Sequence, residues 1–299
     1  QQSVVEGSVA GELFELPAGA VGIAAGFAHR RERGSFTSGA GSEIGIDPGT
    51  PSQNTRGGFD TTEFYAETFV PLITNGEGLS FLGGLFAQMS AEGSIRHVDN
   101  SRAGGDVTWS TGVRATPHLF NEAFTFRGTY TEAIRAPSIP ELFQPFAQTF
   151  SFASDPCDNR FIDSGPNPSV RRANCEAEVA AMIAAGDLPA DFDLATHQSI
   201  IVNASQPALT GGNTELLNEN SEAWSVGVVW EPEEWIPGLS IAADWTEIDI
   251  FNAMVTPSAT QLSRACYDND SYPSVFIGST NACNTFVRET GSDANPFDL

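Results

Sequence analysis

A strand that runs into a proline-rich stop constrains this chain more than any other feature. Residues 124–131 alternate, with aromatic residues and a glycine on one side and polar residues on the other. A period of two with apolar residues on one face is typical of a β-strand that has one apolar and one polar surface. The run Arg135-Ala-Pro-Ser-Ile-Pro then ends the strand, because proline lacks the N–H that a strand ladder needs. The sequence therefore predicts a strand that leads into a very long loop.

Similar alternation elsewhere predicts about eight strands in all. In the segment 221–230, Trp224, Val226, Val228 and Trp230 share one face. This pattern fits a lipid-facing row between two interfacial aromatic girdles, and a core strand explains it equally well. The parity of apolar residues switches in the segment 239–250, which predicts either a β-bulge or a strand that leaves the apolar band. The other predicted strands are 1–16, 20–33, 59–72, 79–91, 106–116 and 124–135.

The connections between these strands alternate in length. Short turns are predicted near 17–19, 74–78, 117–122 and 231–238, and long loops at 34–58, 92–105, 137–220 and 255–299. In an up-and-down meander every second connection lies at the same end, so the long loops would share one end. This asymmetry is typical of outer-membrane β-barrels, and strands of about 11 residues can cross a bilayer when tilted.

The charge balance is strongly acidic. The chain has 38 Asp and Glu residues against 14 Arg and no Lys, with a formal net charge of −24. Phosphate binding needs a positive surface, so this balance argues against nucleic acid as a partner. The acidity fits solvated loops, and the alternative is a loop surface that binds Ca²⁺, although no loop has EF-hand spacing.

Four cysteines, Cys157, Cys175, Cys266 and Cys283, allow three disulfide pairings. Closeness in sequence favours Cys157–Cys175 and Cys266–Cys283. A zinc site would need paired cysteines two to four residues apart, which neither pair has. Disulfides indicate an oxidising compartment.

Two short motifs carry a resemblance to a known family. The strand, its proline-rich stop and the following Glu-Leu-Phe resemble the barrel domain of TonB-dependent outer-membrane receptors. A second stretch across the long loop resembles the next signature of that family, with Thr214 where proline is usual and Leu217-Asn218-Glu219 where Lys-Pro-Glu is usual. The matching residues are Arg135, Ala136, Pro137, Ser138, Glu141, Leu142 and Phe143, then Gly212, Asn213 and Leu216.

The resemblance implies an all-β fold, an antiparallel transmembrane β-barrel segment of about eight strands from a larger, 22-stranded barrel. The long loops would be extracellular and the short turns periplasmic. Residues 1–299 would then be a partial barrel domain, without the plug domain and the C-terminal strands. A complete eight-stranded barrel is the structural alternative.

The function implied by the resemblance is that of a receptor and active transporter in the outer membrane of a Gram-negative cell. It would take up a scarce nutrient, either a ferric siderophore, cobalamin or an oligosaccharide. Its partners would be TonB, acting through the plug, outer-membrane lipid and lipopolysaccharide, and the small nutrient ligand. The alternatives are a secreted β-sandwich that binds carbohydrate, and a passive porin.

Candidate ligand contacts are aromatic residues of the long loops, which could stack on a ligand or instead pack within the loops. They are Phe143, Phe146, Phe150, Phe152, Tyr267 and Tyr272. Arg135 is expected to pair with an acid of a neighbouring strand or to contact the plug. The four histidines are scattered without ligand spacing, and no nucleophile elbow or phosphate loop occurs, so we expect no metal site, no cofactor and no enzymatic activity.

Overall fold

The computed structural model describes residues 1–39, 41, 46, 53–75, 77–79, 82, 84–119, 121–278 and 280–288. The chain divides into two compact units. The sheet unit comprises Gln1–Glu43, Ser52–Pro145 and Gly211–Met254, and the loop unit comprises Ile44–Pro51, Phe146–Thr210 and Val255–Leu299. No helix among the described residues is long and apolar enough to cross a membrane.

The described elements are mostly antiparallel strands. The strands are β1 Gln2–Leu16, β2 Gly19–Phe36, β3 Thr55–Thr74, β4 Glu77–Gly78, β5 Phe86–Asn100, β6 Gly104–Pro117, β7 Phe124–Arg135, β8 Ala147–Ser151, β9 Gln206–Thr210, β10 Glu219–Trp230, β11 Ile241–Phe251, β12 Phe276–Ile277 and β13 Thr280–Asn281. The α-helices are α1 Ile139–Phe143, α2 Pro168–Ala185 and α3 Ala259–Tyr267.

The sheet unit is an up-and-down meander. Its strand order is β1-β2-β3-β5-β6-β7-β10-β11, with β4 paired only to β3. The predicted antiparallel sheet of about eight strands is therefore confirmed. Strands β1 and β11 end the path and do not pair within the described residues, so the sheet is open, unlike the complete eight-stranded barrel that was the alternative.

The register places apolar side chains on one face across the sheet. Val9 lies opposite Ala25, which lies opposite Ala66, then Ile95 and Trp109 along the same row. These side chains are not covered: Val9 is 72% exposed and Ile95 is 55% exposed. A β-sandwich needs a dry core on this face, so the exposure of these side chains argues against the β-sandwich alternative.

Two aromatic clusters lie on this face at different heights. Near the middle of β6, β7 and β10, the ring of Tyr130 lies 4.6 Å from Trp224 and 5.0 Å from Trp109. Near the short-turn edge, Phe124 stacks on Trp230 with ring centroids 6.2 Å apart. Trp224 and Trp230 are separated by six residue steps of β10, roughly 20 Å along a strand. This spacing is close to the apolar band between aromatic girdles of outer-membrane barrels.

The predicted loop 92–105 is wrong. Strand β5 runs to Asn100 and β6 begins at Gly104, so only three residues connect them. The side-chain oxygen of Asn100 accepts hydrogen bonds from the backbone N–H groups of Arg102 and Ala103 at 2.9 and 3.1 Å. Its amide donates to Thr61 Oγ1 at 3.1 Å. Because one asparagine closes the turn, polar sequence on both sides of it continues as paired strands.

Two smaller predictions on the strands also change. The strand expected at 79–91 begins only at Phe86, and part of its predicted start lies outside the described residues. In β11 the register with β10 runs without a shift from Trp230 opposite Ile241 to Asn220 opposite Phe251. No bulge therefore explains the parity switch, which leaves the second explanation, that β11 departs from the apolar band.

The loop unit contains a helix that begins earlier than the sequence indicated. The sequence predicts a short helix within the long loop, capped by Asn174, with Val179, Met182 and Ile183 on one face and Gly186 at its end. In the structure α2 begins at Pro168, the residue type favoured in a first helical turn. Asn174 lies within the helix and donates hydrogen bonds to the backbone oxygens of Tyr267 and Asn269 at 2.9 and 3.0 Å. Gly186 ends the helix as predicted, with a left-handed φ of 83°.

The two long loops share one hydrophobic core. Residues from both loops pack together, and both disulfides lie within this cluster. The buried members are Cys157, Ile162, Cys175, Val179, Leu188, Cys266, Tyr267 and Ala282. The loops beyond β7 and β11 therefore fold as one small unit.

Candidate functional site: the polar face of the sheet and the long loops

The face opposite the apolar row carries polar side chains joined by ion pairs. Glu63, which is only 7% exposed, accepts from Arg96 at 2.9 Å and pairs with Arg30 at 3.5 Å. The guanidinium of Arg96 also lies 5.1 Å above the ring of Tyr65. That ring covers Gly26, where a Cβ would approach the Tyr65 ring to 2.6 Å. The polar face is thus held in place by side-chain pairs that cross strands β2, β3 and β5.

The first family motif forms a capped turn at the long-loop end of β7. Ser138 caps α1, and its side chain and backbone form a capping box with Glu141. Arg135 donates to both carboxylate oxygens of Glu141 at 3.1 Å and to Glu219 at 3.0 Å. Glu219 lies directly opposite Arg135 on β10. Arg135 therefore pairs with an acid of a neighbouring strand, as expected. Contact between Arg135 and a plug stays a prediction.

These contacts keep Glu141 ionised. The hydrogen bonds from Arg135 and from the backbone N–H of Ser138 lower the pKa of Glu141 to about 2, against a smaller opposing effect of burial. At neutral pH the carboxylate therefore links the end of β7 to the first turn of α1.

The second family motif meets the first. The backbone N–H of Gly212 donates to Gln144 O at 2.7 Å, and the N–H of Asn213 donates to Glu141 O at 2.8 Å. A Cβ at Gly212 would lie 2.8 Å from the carbonyl carbon of Leu142, so only glycine allows this approach. Leu142 itself is 2% exposed. Two stretches separated by the long loop thus form one folded junction, whose further members Ala136, Pro137 and Leu216 flank these contacts in sequence.

Helix α1 lies on the polar face at the tops of β2 and β3. Gly34 and Gly57 are register partners on these strands. A Cβ at Gly34 would lie 3.1 Å from the Ile139 side chain, and a Cβ at Gly57 would lie 2.2 Å from the Phe143 ring. Arg102, in the short β5–β6 turn, places its guanidinium 5.3 Å from the Phe143 ring. Phe143, a candidate ligand contact, is thus a half-buried packing residue of this junction.

The loop unit is closed by the two predicted disulfides. Cys157 is bonded to Cys175 and Cys266 to Cys283, with sequence separations of 18 and 17. Each bond closes one loop upon itself. Contacts between the two loops are therefore non-covalent.

A buried ionic cluster joins the two loops. Asp155, which is fully buried, accepts from Arg288 at 2.7 and 3.0 Å. Arg288 also donates to Glu178 at 3.0 Å and to the Tyr267 hydroxyl at 2.9 Å. Burial alone would raise the pKa of Asp155, but the charge of Arg288, the nearby His197 and hydrogen bonds from Arg288 and the Cys157 N–H outweigh it and bring the pKa to about 2. Burial raises the pKa of the Tyr267 hydroxyl.

The candidate ligand contacts fall into two groups. Tyr267 is fully buried and stacks on Tyr272 with ring centroids 5.5 Å apart. The expectation that Tyr267 contacts a ligand is therefore not supported, because its ring belongs to the loop core. Phe146, Phe150 and Phe152 are 63%, 60% and 66% exposed, so they offer accessible aromatic surface.

Sequence reasoning missed one organising acid in each unit. Glu63 and Asp155 belong to different segments from the arginines that they bind, and no local pattern marks them, whereas Glu219 stands in the second motif. For Arg288 a signal exists, since it is one of two arginines in the region 255–299 of a chain with few cations. Among the described residues, no group of three His, Cys, Asp or Glu side chains could hold a metal ion.

Comparison with known proteins gives the same assignment as the motifs. A structure similar in part is the crystal structure of the siderophore receptor PirA from Acinetobacter baumannii, with 13% sequence identity and a TM-score of 0.33. The alignment covers 83% of this chain and 35% of that one, so the chain spans about a third of that receptor. No curated protein matches the sequence. The family model described as TonB dependent receptor-like, beta-barrel matches residues 4–282. The chain belongs to this family of TonB-dependent receptor β-barrels.

Proposed function

We propose that this chain is part of the barrel domain of an outer-membrane receptor that takes up a scarce nutrient with energy supplied through TonB. The observation that carries the proposal is the sheet with two unlike faces: an uncovered apolar row between two aromatic clusters, and an ion-paired polar face behind it. Residues 1–299 supply eight neighbouring strands of a larger barrel, without its plug and C-terminal strands.

The apolar face supports a membrane location. Large apolar side chains exposed over a whole sheet face are unfavourable in water and favourable against hydrocarbon. The aromatic clusters at its two edges fit the interfaces with the lipid head groups. The partners of this face are outer-membrane lipid and, in the outer leaflet, lipopolysaccharide.

The polar face and the loops support a path for a polar nutrient. Three long connections, at 37–54, 136–218 and beyond 251, share one edge of the sheet. The second contains the Cys157–Cys175 disulfide and the third contains Cys266–Cys283. The short turns of outer-membrane barrels are periplasmic and the long loops extracellular, which supports an extracellular position for this edge; the disulfides fit the oxidising conditions there. Ligand binds there first and then passes along the polar face, while TonB acts through the plug.

The test is uptake by cells. The complete gene is deleted, and uptake of labelled ferric siderophores, cobalamin and oligosaccharides is measured with and without TonB. We expect one class of nutrient to lose uptake in both the receptor deletion and the TonB deletion. Uptake that depends on the receptor and persists without TonB would instead indicate a passive porin. A complete polypeptide that stays monodisperse in buffer without detergent would contradict the membrane location.

A further inference from the structure

We propose that the exposed aromatic face of the two-stranded β8–β9 sheet binds an uncharged oligosaccharide; this inference rests on the proposed receptor function and specifies its ligand. In β8 and its flanks every second side chain is exposed: Phe146, Gln148, Phe150 and Phe152 alternate with more buried neighbours. On the paired strand β9, Leu209 lies opposite Gln148 and is 72% exposed. Apolar side chains clustered in this way mark a binding surface.

The segments that form this sheet are free of charge in an acidic chain. Residues 142–154 and 198–214 contain no Asp, Glu, Arg, Lys or His, although the whole chain carries 38 acidic and 14 basic side chains. On the aromatic face, the neutral amide of Gln148 lies between Phe146 and Phe150 in the strand and opposite Leu209, and Pro207 lies opposite Phe150. A saccharide ring has an apolar C–H face and hydroxyl edges, so it suits aromatic rings with a neutral hydrogen-bonding group between them. No charge on these two segments would attract an ionic ligand.

The cations elsewhere in the chain are largely neutralised. Ten arginines of the described chain form ion pairs with carboxylates. Arg30, Arg31, Arg33, Arg96 and Arg127 do so in the sheet before the motif, and Arg135, Arg160, Arg171, Arg172 and Arg288 after it. The chain has 14 arginines and no lysine. An anionic iron chelate would therefore meet few unneutralised cations in this part of the receptor.

The shape of the face favours an extended ligand. Phe146 and Phe152 are separated by six residue steps, roughly 20 Å along a strand. Compact small molecules bind in concave pockets, whereas the three phenylalanines are at least 60% exposed. Several linked sugar rings cover such a length, and a compact chelate or a single macrocycle does not.

The chain next to the β8–β9 sheet is held in place. The backbone N–H of Ser154 donates a hydrogen bond to Thr260 Oγ1 at 2.9 Å, and Asp155 follows with its buried pair to Arg288. On the other side, Ile201 is 3% exposed. Because the backbone under the aromatic face is already ordered, ligand binding costs little further conformational entropy of the protein.

The experiment measures binding to the complete receptor in detergent. The probes are uncharged hexasaccharides of α-linked glucose, β-linked xylose and N-acetylglucosamine, with ferric tris-catecholate and cobalamin as rival ligands. We expect one of the saccharides to bind, and Phe150→Ala to weaken its binding about tenfold or more, equal to at least ~1.4 kcal/mol. The variant lacking all three rings, Phe146→Ala/Phe150→Ala/Phe152→Ala, should remove binding.

The matched control is Phe276→Ala, which removes a 65% exposed phenylalanine of the loop unit outside the β8–β9 sheet and should leave binding unchanged. Intact Cys157–Cys175 and Cys266–Cys283 bonds in each variant show that the loop unit has folded. Absence of saccharide binding, binding of a rival ligand alone, or equal affinity in Phe150→Ala and the parent overturns the inference. TonB-dependent uptake of another nutrient by the same receptor would then leave the proposed function standing.

Discussion

Arg127 on β7 and Asp244 on β11 bind each other across the strand between them, over the missing side chain of Gly227. Arg127 Nε and Nη2 donate to the two carboxylate oxygens at 2.8 and 2.6 Å. Gly227 is the register partner of both residues. The pair therefore ties three strands together on the polar face.

Replacing Gly227 should break this link. A Cβ at Gly227 would lie 1.9 Å from Asp244 Oδ1 and 3.1 Å from Arg127 Nε, so Gly227→Ala must displace the carboxylate. Both side chains are more than a third exposed, so we expect a small fall in the melting temperature of the complete receptor. The matched control is Gly11→Ala on β1, where a Cβ meets no atom within 4 Å. Equal melting temperatures for the two variants would contradict the expected link.

The junction of the two motifs should loosen in acid. The pKa of Glu141 is lowered in the fold from its ordinary value of 4.5 to about 2. A lowered folded pKa contributes stability above the unfolded value, and this contribution is lost as the pH falls from about 4.5 towards 2. The hydrogen-exchange protection factors of residues 136–144, which correct the exchange rate for the intrinsic effect of pH, should therefore fall over this range. In Glu141→Gln the exchange should already be faster at pH 7 and should lack this acid-dependent step; an unchanged pH profile would refute the assignment.

Breaking the buried ionic cluster should open the loop unit. Arg288→Met leaves Asp155 ionised and buried without its main partner, and removal of one partner of a buried pair costs about 3–5 kcal/mol. Local hydrogen exchange of the loop unit should show this loss in its opening free energy. In the double variant Asp155→Asn/Arg288→Met the uncompensated charge is gone, so part of the stability should return. A double variant less stable than Arg288→Met would show that the pair does not act in this way.

Each disulfide should stabilise its own loop. Loops of 18 and 17 residues in separation lose about 3 kcal/mol when the bond is removed, in the chain-entropy model. Cys157→Ala/Cys175→Ala should therefore lower the opening free energy of the loop unit by this amount. Mass spectrometry without reduction should find peptides joined as Cys157–Cys175 and Cys266–Cys283. A peptide pair that joins Cys157 to Cys266 or Cys283 would contradict the structure.

The sequence was informative where its signal is local. Alternation fixed most strands, and the aromatic face of β7 is where it was expected. The glycine at Gly186 ended its helix as predicted. Closeness in sequence identified both disulfides. In each case the residues that determine the structure are close in sequence. The strand, the helix end or the disulfide can therefore be predicted without knowing which distant segment packs against it.

The misses have the opposite cause. The polar residues before Asn100 looked like a loop because their partners, on β3 and β6, cannot be read from the sequence. The early start of α2 at Pro168 was missed because Asn174 has the chemistry of a cap but serves as a bridge to Tyr267. The pairing of Asp155 with Arg288 spans 133 positions. A sequence shows which side chains can pair, and tertiary contact decides which do.

The intraloop disulfides have a consequence for the history of this surface. Salt bridges such as Asp155–Arg288 and Arg171–Asp268 join the loop after β7 to the loop after β11, whereas each disulfide joins two cysteines of the same loop. A recombinant protein could acquire one of these loops from a relative and keep its own second loop. One charged side chain of each ion pair would then lie buried without its partner. These two loops must be inherited, and transplanted by the protein engineer, as a single cassette.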